Sequence, residues 1–254
     1  MAEQQPAARP GARGCPQLRG EVVAVSEATH ELPVREQPLP PPPPDADLRR
    51  FPACTVKAGL PLYRVHLTTW GCWHFASLNQ NRKAGSRFDT TGSVRGTCYT
   101  ATDPLTALAE VLGYAILCGP YIAPGALDDH SVSKVTTRRS YRVADLTSRS
   151  CPILGALGRE LSVLTPYGTP QAWAQGWEKA DFDGVLYYPR HDAEAAARSI
   201  ALFGPIESPR EDEWPDPTNT PARDYFDSFT RAYGLKPKEP QQDEIVAPPV
   251  DGSR

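Results

Sequence analysis

The sequence predicts an α+β fold, because short strand-like runs and longer helix-like runs follow one another along its centre in no regular order. Strands are indicated where β-branched and aromatic residues are concentrated, and helices where apolar residues recur at helical spacing behind a capping residue. A strict alternation of strand and helix would have indicated a parallel α/β sheet instead. The predicted domain covers residues 57–206, a length of about 150 residues that is close to the commonest domain size.

The elements of this domain are predicted from local signals. Residues 62–67 and 96–101 form the first two strands. Asp103 is a favourable N-cap and Pro104 fits the first helical position, so a helix begins there and extends to residue 117. The later elements are a strand, a helix and two further strands, at residues 140–146, 169–179, 182–188 and 199–203.

The N-terminal segment, residues 1–56, has the composition of a disordered chain. It is rich in Pro, Ala, Glu and Arg and poor in aromatic residues, and residues 40–44 are an unbroken run of prolines. Such a run adopts the polyproline II conformation and buries little surface, which favours a spacer; a docking ligand for a partner is the alternative.

The C-terminal segment, residues 207–254, becomes acidic and Pro-rich and is predicted to be mostly disordered. Residues 222–235 are the exception, because they can form a short amphipathic helix with Phe226 and Phe229 on one face. We expect this face to dock on the domain rather than on a partner. A fragment of residues 57–206 is therefore expected to fold on its own.

Charge and hydropathy exclude several functional classes. The net charge is −3 and the pI is about 6.0, which gives no global reason to bind nucleic acid or an anionic membrane. No apolar run approaches the roughly 20 residues that span a bilayer, and the first residues lack the order of a secretory signal. We therefore expect a cytoplasmic protein that contacts neither membrane nor nucleic acid directly.

The cysteines do not indicate a metal site. Six are spread through the chain, none forms a C-x-x-C pair, and His66 and His74 do not fall at zinc-ligand spacing with any two of them. Disulfides are not expected in a cytosolic protein. The six are interpreted as ordinary thiols: Cys15, Cys54, Cys72, Cys98, Cys118 and Cys151.

Four residues are candidates for chemistry, although periodicity alone favours an ordinary structural role for each. Arg64, in the first strand, and Arg87, in a polar loop, can each bind a carboxylate or a phosphate through the planar guanidinium, and a structural salt bridge is the alternative. Tyr99 lies in the second strand, where packing is the usual role. On a helical wheel Glu110 lies opposite the apolar stripe, as a solvated surface glutamate would.

Seven short motifs follow one another along the predicted domain. They are residues 63–66 (YRVH), 85–89 (GSRFD), 96–101 (GTCYTA), 103–111 (DPLTALAEV), 182–187 (FDGVLY), 190–192 (RHD) and 199–203 (SIALF). In this order they resemble the RES family. The first four resemble its opening strand, its arginine loop, its second strand and the helix that carries its catalytic glutamate, and the last three resemble its closing strands. Each motif alone is weak, but their combined order is specific.

The resemblance implies an ADP-ribosyltransferase-like fold, in which a split, twisted sheet with flanking helices forms a cleft for NAD. It implies an enzyme that breaks the nicotinamide–ribose bond, with phosphate or water as acceptor, so that NAD is a substrate rather than a cofactor and phosphate a possible co-substrate. It also implies a toxin of a bacterial toxin–antitoxin pair, with a helix-turn-helix antitoxin as partner. By the same resemblance Arg64 and Arg87 would hold the pyrophosphate, Glu110 would act at the ribose, and Tyr99 would face the nicotinamide.

One departure from the family pattern concerns its serine. Where many members have Tyr-x-Ser-Arg, this chain has Pro189 between Tyr188 and Arg190. Thr169, at the start of the preceding helix, is predicted to supply the missing hydroxyl as a catalytic residue with Glu110 and Arg64. Two alternatives stay open: a mono-ADP-ribosyltransferase with a protein acceptor, and a catalytically silent module that binds NAD in its cleft.

Overall fold

The computed structural model describes residues 39–78, 85–91, 95–154, 156, 158–206 and 216–238, all within the unit Gln37–Arg254. Ten strands are present in these residues: β1 (Ala53–Val56), β2 (Pro61–Leu67), β3 (Arg95–Ala101), β4 (Tyr121–Ile122), β5 (His130–Thr136), β6 (Tyr141–Asp145), β7 (Gly184–Tyr187), β8 (Ser199–Pro205), β9 (Thr218–Pro221) and β10 (Lys236–Pro237). The α-helices are α1 (Pro104–Leu117), α2 (Gly158–Val163), α3 (Gly168–Lys179) and α4 (Phe226–Tyr233). Short 3-10 helices cover Leu48–Arg50, Pro124–Leu127, Cys151–Leu154 and Ala222–Tyr225.

Eight strands form one mixed sheet in the order β1-β6-β7-β8-β3-β2-β5-β9. Most neighbours pair over several residues, and β6 and β7 are the parallel pair among them. The junction of β2 with β3 is different, because the two strands pair only at Tyr63 and Ala101. The sheet is therefore split at this point into a half that ends at β3 and a half that begins at β2.

Three apolar clusters stabilise the sheet. The first lies between α3 and one face of β6, β7 and β8, with Trp173 and Trp177 fully buried in it. The second covers the opposite face of the same strands and contains Trp73 and Phe75 from the segment that follows β2. The third joins α1 and α4 to β2 and β5, with Phe229 at its centre.

The prediction of an α+β fold is confirmed, and the predicted elements of the domain are all present with small shifts at their ends. Helix α1 begins as predicted, because the Asp103 carboxylate accepts hydrogen bonds from the N–H groups of Leu105 (2.8 Å) and Thr106 (3.1 Å). Strand β5 was not predicted. Its sequence, HSVSKVT, has three β-branched residues, but they stand among His, Ser and Lys, and its buried Ser133 bonds to His66 and Asn219 instead of packing as an apolar residue.

The structure differs from the predicted N-terminal boundary. Residues 1–38 lie outside the described residues, but residues 39–56 belong to the folded unit. Phe51 is buried against Trp173 and Trp177, at ring-centroid distances of 6.0 and 5.0 Å. The Trp173 indole donates to the Pro40 carbonyl at 3.0 Å, and β1 pairs with β6. The proline run is therefore anchored against α3, because apolar residues on either side of it reach the core.

The structure also extends the domain beyond residue 206. Strand β9 pairs with β5 at the edge of the sheet, and the predicted helix over residues 222–235 is a 3-10 turn followed by α4. Its aromatic face packs on α1, as expected, and Gly234 ends the helix at a φ of 65° that favours glycine. Residues 207–215 and 239–254 lie outside the described residues. No helix among the described residues is long and apolar enough to cross a membrane.

Candidate active site

A cavity of about 330 Å³ lies where β2 and β3 diverge. Arg64 of β2, Tyr99 of β3 and Glu110 of α1 line it, together with Arg87 from the loop of residues 85–89. The four residues carried over from the family resemblance as NAD-contacting thus surround one cavity. Two residues that the sequence analysis did not single out, Tyr167 and Tyr187, complete its wall.

Arg87 is a buried cation at this cavity. Its side chain is 8% exposed, and NH1 lies 3.9 Å from Oε2 of Glu110. Its Nε has no hydrogen-bond partner in the described part of the chain. The rings of Tyr167 and Tyr187 each lie 5.8 Å from the guanidinium carbon. A guanidinium removed from water in this way is stabilised when an anion enters the cavity and accepts its remaining hydrogen bonds.

Glu110 occupies a well-defined position beside Arg87 at the cavity. Its Oε1 accepts a hydrogen bond of 2.7 Å from the backbone N–H of Arg190, and its Oε2 lies 3.5 Å from the Tyr187 hydroxyl, which donates to it. The side chain is only 21% exposed. The interpretation of Glu110 as a solvated surface residue is therefore wrong. The helical wheel placed it away from the apolar stripe correctly, but that side of α1 faces the cavity and the segment of residues 188–192.

Tyr187 is a neutral hydrogen-bond donor in this arrangement. Its ring packs on Phe88 at a centroid distance of 4.9 Å. Burial raises the pKa of Tyr187 strongly, and the nearby Glu110 carboxylate raises it further, while Arg87 opposes them. The hydroxyl consequently keeps its proton and can donate to Glu110 at any physiological pH.

Arg64 makes contacts inside the fold and also lines the cavity. Its NH1 donates to the carbonyl of His74 at 2.9 Å and also contacts the Cys98 sulfur. These contacts fix the guanidinium beside the second apolar cluster, and Arg64 still lines the cavity. A structural role and a ligand-binding role are thus compatible for this residue.

Tyr99 fixes the loop of residues 85–89. Its hydroxyl donates to Oδ1 of Asp89 at 3.0 Å and accepts from the N–H of Phe88 at 2.8 Å. Burial raises the pKa of Tyr99 well above its usual value, and the Asp89 carboxylate adds to this. The ring of Tyr99 lines the cavity, whereas its hydroxyl is fully used inside the protein.

The loop that carries Arg87 is held from two further sides. Asp89 accepts the N–H of Ser86 through Oδ2 at 2.7 Å, and Gln171 of α3 donates to the Ser86 carbonyl at 3.0 Å. A Cβ at Gly85 would approach Oδ2 of Asp89 to 2.9 Å and Leu78 to 2.5 Å, so a larger residue here would require these side chains to shift. The guanidinium is therefore supported by a rigid backbone.

Thr169 does not reach this cavity in the structure. It lies half-buried in the first turn of α3, and Tyr167, two residues earlier, lines the cavity instead. Pro189 is buried and lines a separate groove beside the ends of α1 and α2. The group that this segment presents to Glu110 is the backbone N–H of Arg190, at 2.7 Å, and not a hydroxyl of Thr169.

Sequence reasoning missed Tyr167 for a physical reason. It stands in a short connection between α2 and α3, where no periodicity distinguishes a cavity-facing side chain from a solvated one. Tyr187 gave a signal, since it ends the apolar strand that carries one of the family motifs. No group of three His, Cys, Asp or Glu side chains in the described residues is arranged to hold a metal ion.

Comparison with known proteins gave a family and a fold. The model of the RES domain matches residues 61–225, a range that contains every cavity-lining residue named above. A search of curated proteins found no match. Among solved structures, a chain of the crystal structure of the M. tuberculosis MbcT–MbcA toxin–antitoxin complex is similar, with 14% identity and a TM-score of 0.51 over 69% of this chain and 91% of that chain. This likeness shows the fold.

Proposed function

Since the chain belongs to the RES-domain family, we propose that it is an enzyme that breaks the nicotinamide–ribose bond of NAD. The observation that carries this proposal is the placement of the buried Arg87 guanidinium 3.9 Å from the Glu110 carboxylate in one cavity. The cavity thereby offers a cation for a phosphate and a carboxylate for a developing positive charge, which are the two groups that this reaction needs.

The reaction requires little acid catalysis. When the bond between ribose C1′ and the pyridinium nitrogen breaks, its electron pair neutralises the nicotinamide ring, which leaves uncharged. The ribose becomes oxocarbenium-like, and the fixed carboxylate of Glu110 stabilises that charge. One carboxylate can therefore suffice where glycosidases acting on oxygen leaving groups use two.

The acceptor completes the reaction at C1′. Phosphate would attack through one of its oxygens and give ADP-ribose 1″-phosphate, and water would lose a proton and give ADP-ribose. Arg87 and Arg64, which both line the cavity, would offset the two charges of the pyrophosphate and fix the dinucleotide. The aromatic rings of Tyr99 and Tyr187 suit the cationic pyridinium ring of the bound substrate.

We also propose that the protein acts in the cytoplasm as a toxin and is restrained by a separate helix-turn-helix antitoxin. The similar chain belongs to the crystal structure of a toxin–antitoxin complex, and this supports such a partner without identifying it. Enzymes that consume a central cofactor need restraint during normal growth, which gives the pairing a physiological reason.

Pure protein incubated with NAD, with and without phosphate, tests the activity. We expect release of free nicotinamide, with ADP-ribose 1″-phosphate as the second product if phosphate is the acceptor and ADP-ribose if it is water. ADP-ribose found covalently attached to a protein would favour a mono-ADP-ribosyltransferase. No nicotinamide release with any of these acceptors would contradict the proposal and favour a catalytically silent NAD-binding module.

A further inference from the structure

We infer that Asp192 is a positioning residue for Glu110. This inference rests on the proposed function for its kinetic consequences, but not for its structural content. The backbone N–H of Arg190 orients Glu110. The position of this N–H depends on the conformation of the segment that carries it. The segment of residues 188–192 has no regular secondary structure, so something other than a helix or strand ladder must fix it.

The Asp192 carboxylate fixes this segment by accepting two hydrogen bonds. Its Oδ2 accepts a hydrogen bond of 2.6 Å from the Thr106 hydroxyl, which is buried in α1 one turn before Glu110. Its Oδ1 accepts the N–H of Glu194 at 2.9 Å, which closes the turn that follows. The same helix therefore carries both Glu110 and the hydroxyl that ties down the segment bonded to it.

Two further contacts press this segment onto α1. The His191 ring lies against Gly113, where a Cβ would come within 2.0 Å of the ring. Tyr233 of α4 lies beside Asp192, and burial followed by the Asp192 carboxylate raises the pKa of Tyr233, so its hydroxyl stays protonated next to the carboxylate. Helices α1 and α4 thus hold Asp192 between them.

Glu110 is one member of a closed cycle of contacts. This cycle runs from Glu110 to the Arg190 N–H, along the chain to Asp192, and through Thr106 back along α1 to Glu110. Loss of the Asp192 carboxylate opens this cycle without touching the cavity, because Asp192 does not line the cavity. The expected result is a Glu110 carboxylate that is present but less well oriented toward the ribose.

The first test measures kinetics of the full-length protein with NAD. Asp192→Ala and Thr106→Val should lower kcat, the former on the order of 10- to 100-fold, as misplacement of a reacting group by about 1 Å does, with the KM for NAD little changed. Thr137→Val is the matched control, since Thr137 is another buried threonine whose hydroxyl donates a 2.9 Å hydrogen bond, to the Lys57 carbonyl away from the cavity. It should leave kcat unchanged.

A double-mutant cycle shows whether Asp192 acts through Glu110. In a Glu110→Gln background, Asp192→Ala should have little further effect on kcat, because the group that it positions has already lost its charge. A full, additive loss in that background would overturn the inference. So would an unchanged kcat for Asp192→Ala in the otherwise wild-type chain.

A second measurement does not depend on catalysis. By NMR, the Arg190 amide should be protected from hydrogen exchange in the wild type and lose that protection in Asp192→Ala and in Thr106→Val, but not in Thr137→Val. If the wild type releases no nicotinamide, the proposed function fails, and Arg190 exchange alone decides the structural inference. Protection of the Arg190 amide in both variants would overturn the inference that Asp192 positions Glu110. If Asp192→Ala does not fold, the exchange of the Arg190 amide in Thr106→Val decides the question.

Discussion

The Arg87 guanidinium and the Glu110 carboxylate lie 3.9 Å apart at the cavity, too far for a hydrogen bond and close enough for strong Coulombic attraction. The two charges therefore stabilise one another without forming a hydrogen-bonded ion pair.

Replacing Glu110 by Gln should separate catalysis from folding. Gln keeps the acceptor for the Arg190 N–H but removes the charge, so nicotinamide release should fall by about 100-fold or more. The nearby Arg87 loses a counter-charge, and we expect a cost of about 1–2 kcal/mol in the free energy of unfolding. Nicotinamide release and urea unfolding measure the two effects, and equal release by the wild type and the variant would exclude Glu110 from the mechanism.

Replacing Arg87 by Lys should impair NAD cleavage nearly as much as Ala does. Lys is a point charge and cannot make the bidentate contact with two phosphate oxygens. It also lacks the flat guanidinium that lies 5.8 Å from the rings of Tyr167 and Tyr187. A loss on the order of 100-fold in kcat/KM is expected. The same change at Arg64 should be damaging as well, and near-normal cleavage by Arg64→Lys would leave that residue with its structural contacts alone.

Local sequence signals predicted helix α1 well but gave a poor prediction for the surroundings of its candidate functional residue, Glu110, and the reasons are physical. The start of α1 depends on Asp103 and its neighbours within three positions, and such local signals can be read from one chain. The surroundings of Glu110 come from residues 77 and 80 positions away. A helical wheel contains no information about such contacts, and only the order of the family motifs indicated Glu110.

Burial of His66 predicts an acid-sensitive fold. Burial, the largest cause, lowers the pKa of His66 below its ordinary 6.5, so the unfolded chain takes up a proton at a higher pH than the folded one. The contribution of the neutral His66 to the free energy of unfolding is therefore fully present above pH 6.5. It is lost as the pH falls from there toward the pKa of His66 in the folded state. His66→Gln should reduce the dependence of the free energy of unfolding on pH between 7 and 5, measured by urea titration. An unchanged pH dependence would mean that other groups dominate it.

The core contacts of Phe51 and Phe229 predict where the folding unit ends. A fragment of residues 57–206 lacks Phe51, which covers Trp173 and Trp177, and also lacks α4, which covers α1. Loss of one large buried aromatic side chain costs about 3–5 kcal/mol, which is a large part of the stability of a typical domain. We therefore expect the 57–206 fragment to be aggregated or to unfold without cooperativity, contrary to the expectation from composition. A fragment of residues 39–238 should unfold in a single cooperative transition.

Urea denaturation followed by tryptophan fluorescence compares the two fragments, with Phe51→Ala in the longer fragment as an intermediate case. Cooperative unfolding of the 57–206 fragment with the stability of the longer one would show that neither the anchored proline segment nor α4 contributes to the core.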